Sequence, residues 1–261
     1  MADGPDGDDD LSLARFGDVV SCYLRTPDGM SPGAAAAEFT RPVDHAFLVR
    51  GARETQIEDM LWSAWQAVIT AADTPDDSAR SRLVELLGAI KGRGVLMRAD
   101  GEACVVWGMR AHVDLPVFGA QMRQMWNFPP PAASAESWAN LNAFAAQLTA
   151  VGLDFSLYAI WALRNALEED GREALQVLPA AVQWLRHAGP VLASLALESA
   201  ADSYGRDQLG KLCRDADLID RGFTVRRWNF WRGRLEDIAA TGGEFAEAAR
   251  EGWQYACRCL P

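Results

Sequence analysis

Tryptophan is the residue type in this sequence with the strongest potential to build a binding site. Ten tryptophans occur among 261 residues. They are Trp62, Trp65, Trp107, Trp126, Trp138, Trp161, Trp184, Trp228, Trp231 and Trp253. Packing between helices is the simpler explanation for any one of them. As a set, they predict an aromatic pocket in which indole N–H groups supply a few directional donors.

Polar residues beside these tryptophans predict how a ligand would be oriented. The predicted catalytic residues are His112, Asp114 and Arg227. The predicted substrate-binding residues are Trp107, Trp126, Trp161, Trp184, His187, Trp228, Asn229 and Trp231. A hydrogen bond from a histidine, arginine or indole donor could polarise a substrate carbonyl in the transition state. A structural role is the alternative for each residue, and His187 fits simple capping of a helix C-terminus.

Patterns for metal, nucleotide or nucleophile chemistry are missing from the sequence. The three histidines, His45, His112 and His187, lack the paired helical spacing of zinc proteases. A glycine-rich phosphate loop, a nucleophile-elbow serine and a lysine-bearing nucleotide motif are also missing. The acidic motif of metal-dependent terpene synthases is missing too. The sequence therefore predicts no metal site and no cofactor.

Charge and cysteine usage indicate which partners and compartment to expect. A net charge of −11 and a pI of about 4.8 disfavour nucleic acid and anionic lipid surfaces. Residues 1–10 contain five aspartates and no cation, which predicts a disordered acidic tail. The chain start fits neither a secretory signal nor a transit peptide, and no apolar run approaches the ~18 residues of a membrane span. Five irregularly spaced cysteines are typical of reduced thiols, so we expect a cytoplasmic protein.

The elements that must position these residues are helices. Apolar side chains recur at helical spacing through most of the chain, whereas short apolar runs broken by turn residues are confined to residues 93–112. Asp100-Gly101 allows one small hairpin there. We predict an all-α fold in which residues 11–261 form a single irregular bundle of about nine or ten helices.

Proline, glycine and serine predict several helix boundaries. Ser31 and Ser134 are predicted N-caps. Pro179 is expected to begin a helix that Gly189-Pro190 ends, which would place His187 near a helix C-terminus. Pro129-Pro130-Pro131 predicts a stiff spacer. The segment from Phe155 to Leu167 has almost no polar face and is therefore predicted to be the central helix.

Two segments of the sequence contain distinctive motifs. Residues 107–128 read WGMRAHVDLPVFGAQMRQMWNF, and residues 223–240 read FTVRRWNFWRGRLEDIAA. The first contains an Asp-Leu-Pro-x-Phe-Gly segment, and the second contains a Trp-x-Phe-Trp helix followed by basic residues. These segments resemble a large fungal family of helical proteins of unknown function. The resemblance implies a fungal, cytosolic, all-helical protein, and such proteins can accompany secondary-metabolite pathways. It carries over no catalytic motif.

Three functions are compatible with these observations. The first is cofactor-independent cyclisation or isomerisation of a hydrophobic small molecule, because an aromatic pocket can lower a barrier by positioning alone. The second is binding of such a molecule in the same pocket without chemistry. The third is a protein-interaction module that presents an exposed aromatic face to a protein partner. We take the first as the working hypothesis; the sequence leaves the oligomeric state open.

Overall fold

Helices provide nearly all of the regular structure in the computed structural model. The structure describes residues 6–25, 29–127, 134–202 and 205–260, with side chains from residue 15 onward. Within these ranges there are twelve helices and one two-stranded sheet. The predicted all-α class is therefore confirmed, with more helices than the nine or ten expected. Two of them have five residues each and are too short to produce a periodic pattern.

The chain divides into two compact units, Met1–Pro129 and Pro130–Pro261. The expectation of a single helical domain stays a prediction, and each unit is described here by itself. The predicted proline spacer lies outside the described residues, as do residues 1–5 of the acidic tail. The first helix spans Asp6–Arg25, and the disorder expected of residues 1–10 stays a prediction.

The first unit is built from five helices and a short hairpin among its described residues. They are α1 (Asp6–Arg25), α2 (Pro32–Leu48), α3 (Glu54–Ala72), α4 (Asp77–Gly92), β1 (Val105–Val106), β2 (Met109–Arg110) and α5 (Phe118–Trp126). The predicted cap at Ser31 is confirmed, since its Oγ accepts a hydrogen bond from the Ala34 amide at 3.2 Å. Pro32 occupies the first turn, where its missing N–H costs nothing. Helix α3 packs against α1, α2, α4 and α5.

Aromatic rings form the core of the first unit. Phe16, Phe39, Trp65 and Phe118 are buried, and successive ring centroids lie 5.2, 5.9 and 5.5 Å apart. These rings come from α1, α2, α3 and α5, so one row of contacts joins four helices. The Trp65 indole N–H donates to the Pro116 carbonyl at 2.8 Å, which satisfies its buried donor.

The predicted hairpin region contains two turns in succession. Around Asp100-Gly101, Met97 and Ala103 form an isolated antiparallel bridge. The paired strands β1 and β2 follow it and are joined by Trp107-Gly108, whose φ angles are 54° and 74°. A two-residue hairpin turn with these φ angles places both central residues in the left-handed region. A tryptophan at the first of these positions is unusual.

The second unit consists of seven helices among its described residues. They are α6 (Ala135–Ala150), α7 (Ser156–Leu167), α8 (Arg172–Gln176), α9 (Leu178–Leu197), α10 (Lys211–Asp215), α11 (Val225–Ala240) and α12 (Ala246–Cys259). The cap predicted at Ser134 is confirmed by a 3.0 Å bond from the Ser137 amide. Helix α9 packs against α6, α7, α8, α11 and α12 and is therefore the central helix. The central position predicted for the segment that forms α7 is wrong.

The prediction that Gly189-Pro190 ends a helix is also wrong. Helix α9 continues through both residues to Leu197. Pro190 removes one backbone hydrogen bond, but burial of α9 along its whole length outweighs that local cost. Gly189 serves close packing instead, because a Cβ there would lie 2.7 Å from the Cys259 Sγ of α12. His187 therefore lies inside α9 rather than at its C-terminus.

The glycine before α11 allows two chain segments to approach closely. Gly222 has a φ of 75°, and a Cβ there would lie 2.2 Å from the Ala200 carbonyl oxygen and 2.6 Å from the Ala201 Cα. The Phe223 amide also donates to the Ala200 carbonyl at 2.7 Å. The contacting atoms are backbone atoms, so a side chain at residue 222 cannot be accommodated by a rotamer change.

Gly222→Ala is expected to lower the free energy of unfolding by more than about 2 kcal/mol, through left-handed strain and the backbone clash. Gly233→Ala is the matched control, because a Cβ at this position in α11 meets nothing within 4 Å. That variant is expected to be neutral or stabilising by up to about 1 kcal/mol. Urea unfolding followed by circular dichroism measures both, and equal midpoints for the two variants would contradict the close approach.

Candidate functional site

A buried ion pair lies at the centre of the residues predicted from the Trp-x-Phe-Trp segment. Thr224 caps α11, its Oγ1 accepting from the Arg227 amide at 3.1 Å, and Arg227 lies in the first turn. Glu168 lies directly after α7. The Arg227 Nε donates to the Glu168 Oε1 at 2.6 Å, and both side chains are 0% exposed. Such a pair is tolerated only where further hydrogen bonds satisfy both partners.

Every N–H of the Arg227 guanidinium has an acceptor inside the protein. Nε and one N–H of Nη2 bind Glu168, while the second N–H of Nη2 donates to the Gln208 carbonyl. Nη1 donates to the carbonyls of Asp207 and Gly222. A guanidinium has five donors, and these bonds use all five. The carbonyl-polarising role predicted for Arg227 would therefore require one of these bonds to break.

The Glu168 carboxylate is equally saturated. Oε1 accepts from Arg227 and from the Trp231 indole at 2.7 Å, while Oε2 accepts from Arg227 and from the Gly210 amide at 2.6 Å. Its backbone carbonyl accepts from the Leu212 amide at 2.8 Å. The pair therefore holds α7, α11 and the loop before α11 together. Trp231, predicted to line a pocket, is a buried donor in this cluster.

Cys213 of α10 lies beside the same carboxylate. Burial and, secondly, the charge of Glu168 raise the pKa of the Cys213 thiol far above its ordinary value. The thiolate is the nucleophilic form of cysteine, and this site suppresses it. Cys213 is thus a packing residue of the cluster.

The remaining tryptophans predicted in this unit lie mostly in its core. Trp184 is buried and donates to the Asn142 Oδ1 at 2.7 Å. Trp228 is buried, and its ring centroid lies 6.3 Å from that of Trp231. The Trp228 indole N–H has no acceptor among the described residues. Trp161 is half-buried, donates to the Arg206 carbonyl at 2.8 Å and packs edge-on against Tyr158.

The two polar residues that were predicted to bind substrate in this unit are not fully buried. His187 is half-buried on α9, and Asn229 is exposed on α11. Neither belongs to the saturated cluster around Arg227.

The two catalytic residues predicted in the first unit both have structural partners. The His112 Nε2 lies 2.9 Å from the Asp44 Oδ1, and Asp44 also accepts from Arg93 at 2.8 Å. Asp114 accepts three bonds from Arg110, which hold the pKa of its carboxyl well below the ordinary value. His112 lines a cavity of about 10 Å³, large enough for roughly one water molecule.

The last two predicted residues lie at the surface of the first unit. Trp107 is 51% exposed at the hairpin turn, and its ring lies 6.0 Å from that of Trp62. Trp126 is the half-buried final residue of α5. His112, Asp114, Trp107 and Trp126 thus belong to the first unit, and the other predicted site residues belong to the second.

Sequence reasoning missed Glu168 and Asp44, the acidic partners of two predicted site residues. Arg227 interrupts a helical stripe that includes Trp228 and Trp231, and a buried arginine requires a carboxylate or several carbonyls nearby. That requirement predicts a partner but does not identify it. Glu168 is 59 residues away in the sequence, and only the folded chain brings it to Arg227.

A groove lies between α9 and α12. Its volume is about 470 Å³. Residues that line it include Leu185, Arg186, Ala193, Leu197, Tyr255 and Arg258. The Arg258 guanidinium carbon lies 5.4 Å from the centroid of the Tyr255 ring. The groove therefore combines an apolar surface with positive charge in a chain whose net charge is −11.

A second pocket, of about 410 Å³, lies in the first unit and carries charges of both signs. Arg53, Glu54, Arg98 and Glu102 line it, together with the buried Cys104. Burial raises the pKa of the Cys104 thiol to about 11. The thiol is therefore protonated near neutral pH and is a poor nucleophile.

The described ranges contain neither a candidate metal cluster nor a candidate membrane span. No group of three or more histidine, cysteine, aspartate or glutamate side chains could hold a metal ion there. None of the helices in these ranges combines the length and apolar character needed to cross a membrane.

The described helices of the two units define an all-α protein. Its polar cluster around Arg227 and Glu168 holds helices and loop together. Residues 65–235 match the family described as protein of unknown function (DUF3632), and the chain belongs to this family. The matched residues include the whole cluster around Arg227 and the whole hairpin. No curated protein and no solved structure matches the chain.

Glu168→Gln is expected to lower the free energy of unfolding by about 3–5 kcal/mol, because it leaves the buried Arg227 cation without a counter-charge. Glu169→Gln is the control, since it makes the same change at the neighbouring, half-buried residue and is expected to cost under about 1 kcal/mol. Replacing both ion-pair partners, as in Glu168→Leu with Arg227→Met, removes the unpaired cation but leaves one indole, one amide and three carbonyls without their partners, so this variant is also expected to be less stable than the unchanged protein. Chemical unfolding compares the three variants with the unchanged protein. Similar stability of Glu168→Gln and Glu169→Gln would show that the buried ion pair does not constrain the fold.

Proposed function

We propose that this protein binds a small amphipathic molecule, an apolar chain carrying one carboxylate, in the groove between α9 and α12. The observation that carries the proposal is the combination of about 470 Å³ of space, apolar side chains and arginine in one groove. Small-molecule sites typically have volumes of about 300–1,000 Å³ and mostly apolar walls with a few polar groups. The groove has this size and this mixture.

The apolar part of the ligand would contact α9. Leu197 is exposed and Ala193 is buried, and these two residues are separated by about one helical turn on the groove side of the helix. Tyr255 supplies an aromatic surface from α12. Ligand binding is favoured when it removes the exposed leucine side chain beside the groove from water.

The anionic group would bind Arg258. Its planar guanidinium suits a carboxylate, to which arginine donates two parallel hydrogen bonds. Arg186 also lines the groove. Because the chain as a whole is acidic, the exposed Arg258 offers an anion a local positive charge.

Binding has more support from the geometry than turnover does. The predicted cyclisation or isomerisation relied on an aromatic pocket walled by Trp228 and Trp231, and both are packed in the core. Trp184 is packed there as well. Catalysis of such a reaction therefore stays a prediction, and the binding proposal does not require it.

The sequence resemblance supports a proposed biological setting. We take the protein to be a fungal, cytoplasmic protein that accompanies a secondary-metabolite pathway. An amphipathic carboxylate is a kind of molecule that such a pathway would need carried or sequestered. Nucleic acid is an unsuitable partner for a chain of this charge.

Calorimetric titration with octanoate, and with octanamide as its neutral counterpart, tests the proposal. Arg258→Gln is expected to weaken octanoate binding about tenfold, the effect of losing one charge-assisted interaction, and to change octanamide binding little. Ser194→Trp, at an exposed position that lines the groove, is expected to block both compounds by filling it.

Arg250→Gln is the matched control, because it removes an exposed arginine from α12 outside the groove lining. It is expected to bind octanoate as the unchanged protein does. Equal octanoate binding by the Arg258 and Arg250 variants would contradict the proposal. The absence of saturable octanoate binding to the unchanged protein would contradict it as well.

A further inference from the structure

Two tryptophans of the first unit form an open aromatic corner that the proposed carboxylate-binding function does not use. The Trp62 and Trp107 ring centroids are 6.0 Å apart, and the ring planes meet at 69°. Trp107 is 51% exposed and Trp62 is half-buried, so both indoles lie within reach of a ligand from solvent. The two rings meet edge to face, and about half of the Trp107 surface is open to solvent.

Carboxylates border this corner on α3. Glu54, Glu58 and Trp62 follow one another at four-residue intervals and therefore share one face of the helix. The Glu58 Oε1 accepts from the Trp62 indole at 3.3 Å, and the Glu54 Oε1 accepts from the Trp107 amide at 2.8 Å. Glu58 therefore lies against the Trp62 indole, and Glu54 lies against the backbone of Trp107.

The backbone at the hairpin turn holds Trp107 in this position at a cost. Its φ of 54° lies in the left-handed region, which a bulky residue adopts only with strain. An asparagine before Gly108 would suit this turn better. The strain is offset in part by the Glu54 bond to the Trp107 amide, so the structure maintains an exposed indole where a small polar residue would be the more stable choice.

Two arginines of the hairpin region are paired with other carboxylates. Arg110 lies on β2, and its Nε and Nη2 both bind the Asp114 carboxylate at 2.8 Å. Arg98, which lines a pocket together with Glu54, binds Glu102. Arg53 also lines that pocket, next to Glu54 in the chain, whereas Glu58 lies one turn further along α3 against the Trp62 indole.

We propose that Trp62, Trp107, Glu54 and Glu58 form a binding site for an organic cation, specifically a methylated ammonium group. The π faces of tryptophan attract cations, and methylated ammonium is weakly hydrated enough to leave water for an aromatic surface. Glu54 and Glu58 add a counter-charge that a neutral apolar ligand would not exploit. The site lies in the first unit and is independent of the carboxylate-binding groove in the second.

Choline and its neutral isostere 3,3-dimethylbutan-1-ol are the probes, since they share shape and differ in charge. The indole ¹⁵N–¹H signals report binding and are assigned for Trp62 and Trp107 through Trp→Phe variants. Choline is expected to shift these two signals saturably, whereas the isostere is expected to bind at least tenfold more weakly. Equal binding of the two compounds would overturn the proposal, because the corner would then be an apolar patch without preference for a cation.

Two variants separate the site from the fold. Trp107→Asn suits the left-handed turn, so it is expected to leave the protein folded and to abolish the choline-dependent shift of Trp62. Glu58→Gln keeps the acceptor for the Trp62 indole and removes the charge, and is expected to weaken choline binding at least threefold. Asp59→Asn is its matched control, because it removes one exposed carboxylate that bonds to neither indole.

The control variant is expected to bind choline within twofold of the unchanged protein. Persistence of the Trp62 shift in folded Trp107→Asn protein, or equal weakening by Glu58→Gln and Asp59→Asn, would contradict the site. Octanoate titration of the same variants is expected to be unchanged, which distinguishes failure of this inference from failure of the carboxylate-binding proposal.

Discussion

The Glu168 carboxylate and the Arg227 guanidinium are both completely removed from solvent and face each other as an ion pair. Leaving either without a partner would cost far more than a typical surface contact supplies, so the chain around them is arranged to satisfy both. Three backbone carbonyls before α11, one amide and one indole complete the bonds that the ions do not make with each other. The resulting geometry fixes where α11 begins relative to the end of α7. Desolvation offsets much of the attraction within such a pair, so the constraint on the fold is the cost of leaving either partner without the other.

The same requirement to satisfy buried donors explains how the tryptophans are distributed. Trp65, Trp184 and Trp231 bury their rings where a carbonyl, an amide oxygen or a carboxylate accepts the indole hydrogen. They act as core residues that connect helices and do not face a ligand space. Trp62 and Trp107 differ, since they remain accessible beside carboxylates. The tryptophans therefore occupy two kinds of environment in this protein. Some are packed in the core with their indole donors satisfied, and others are accessible at the surface.

The Asp-Leu-Pro-x-Phe-Gly segment has a structural explanation in the first unit. Leu115 and Val117 both have positive φ angles, of 49° and 58°, on either side of Pro116. Arg110 binds Asp114 before this strained turn, Trp65 binds the Pro116 carbonyl within it, and Phe118 packs on Trp65 after it. These contacts hold a conformation that the local sequence would not choose by itself. The segment links the hairpin to α5 at a defined angle.

The sequence by itself determined the all-α class, most helix positions, the caps at Ser31 and Ser134 and the turn at Asp100-Gly101, because these depend on spacing and on bonds within a few residues. It also selected Arg227 and Trp231 as candidate site residues. Only the tertiary structure decided what these residues do, since their partner Glu168 lies far away in the chain and has no local pattern of its own. The continuation of α9 through Pro190 was decided in the same way, because packing on several neighbouring helices outweighs a local loss of one hydrogen bond. The groove and the aromatic corner likewise consist of residues from separate elements, and no spacing along one chain could indicate that they meet.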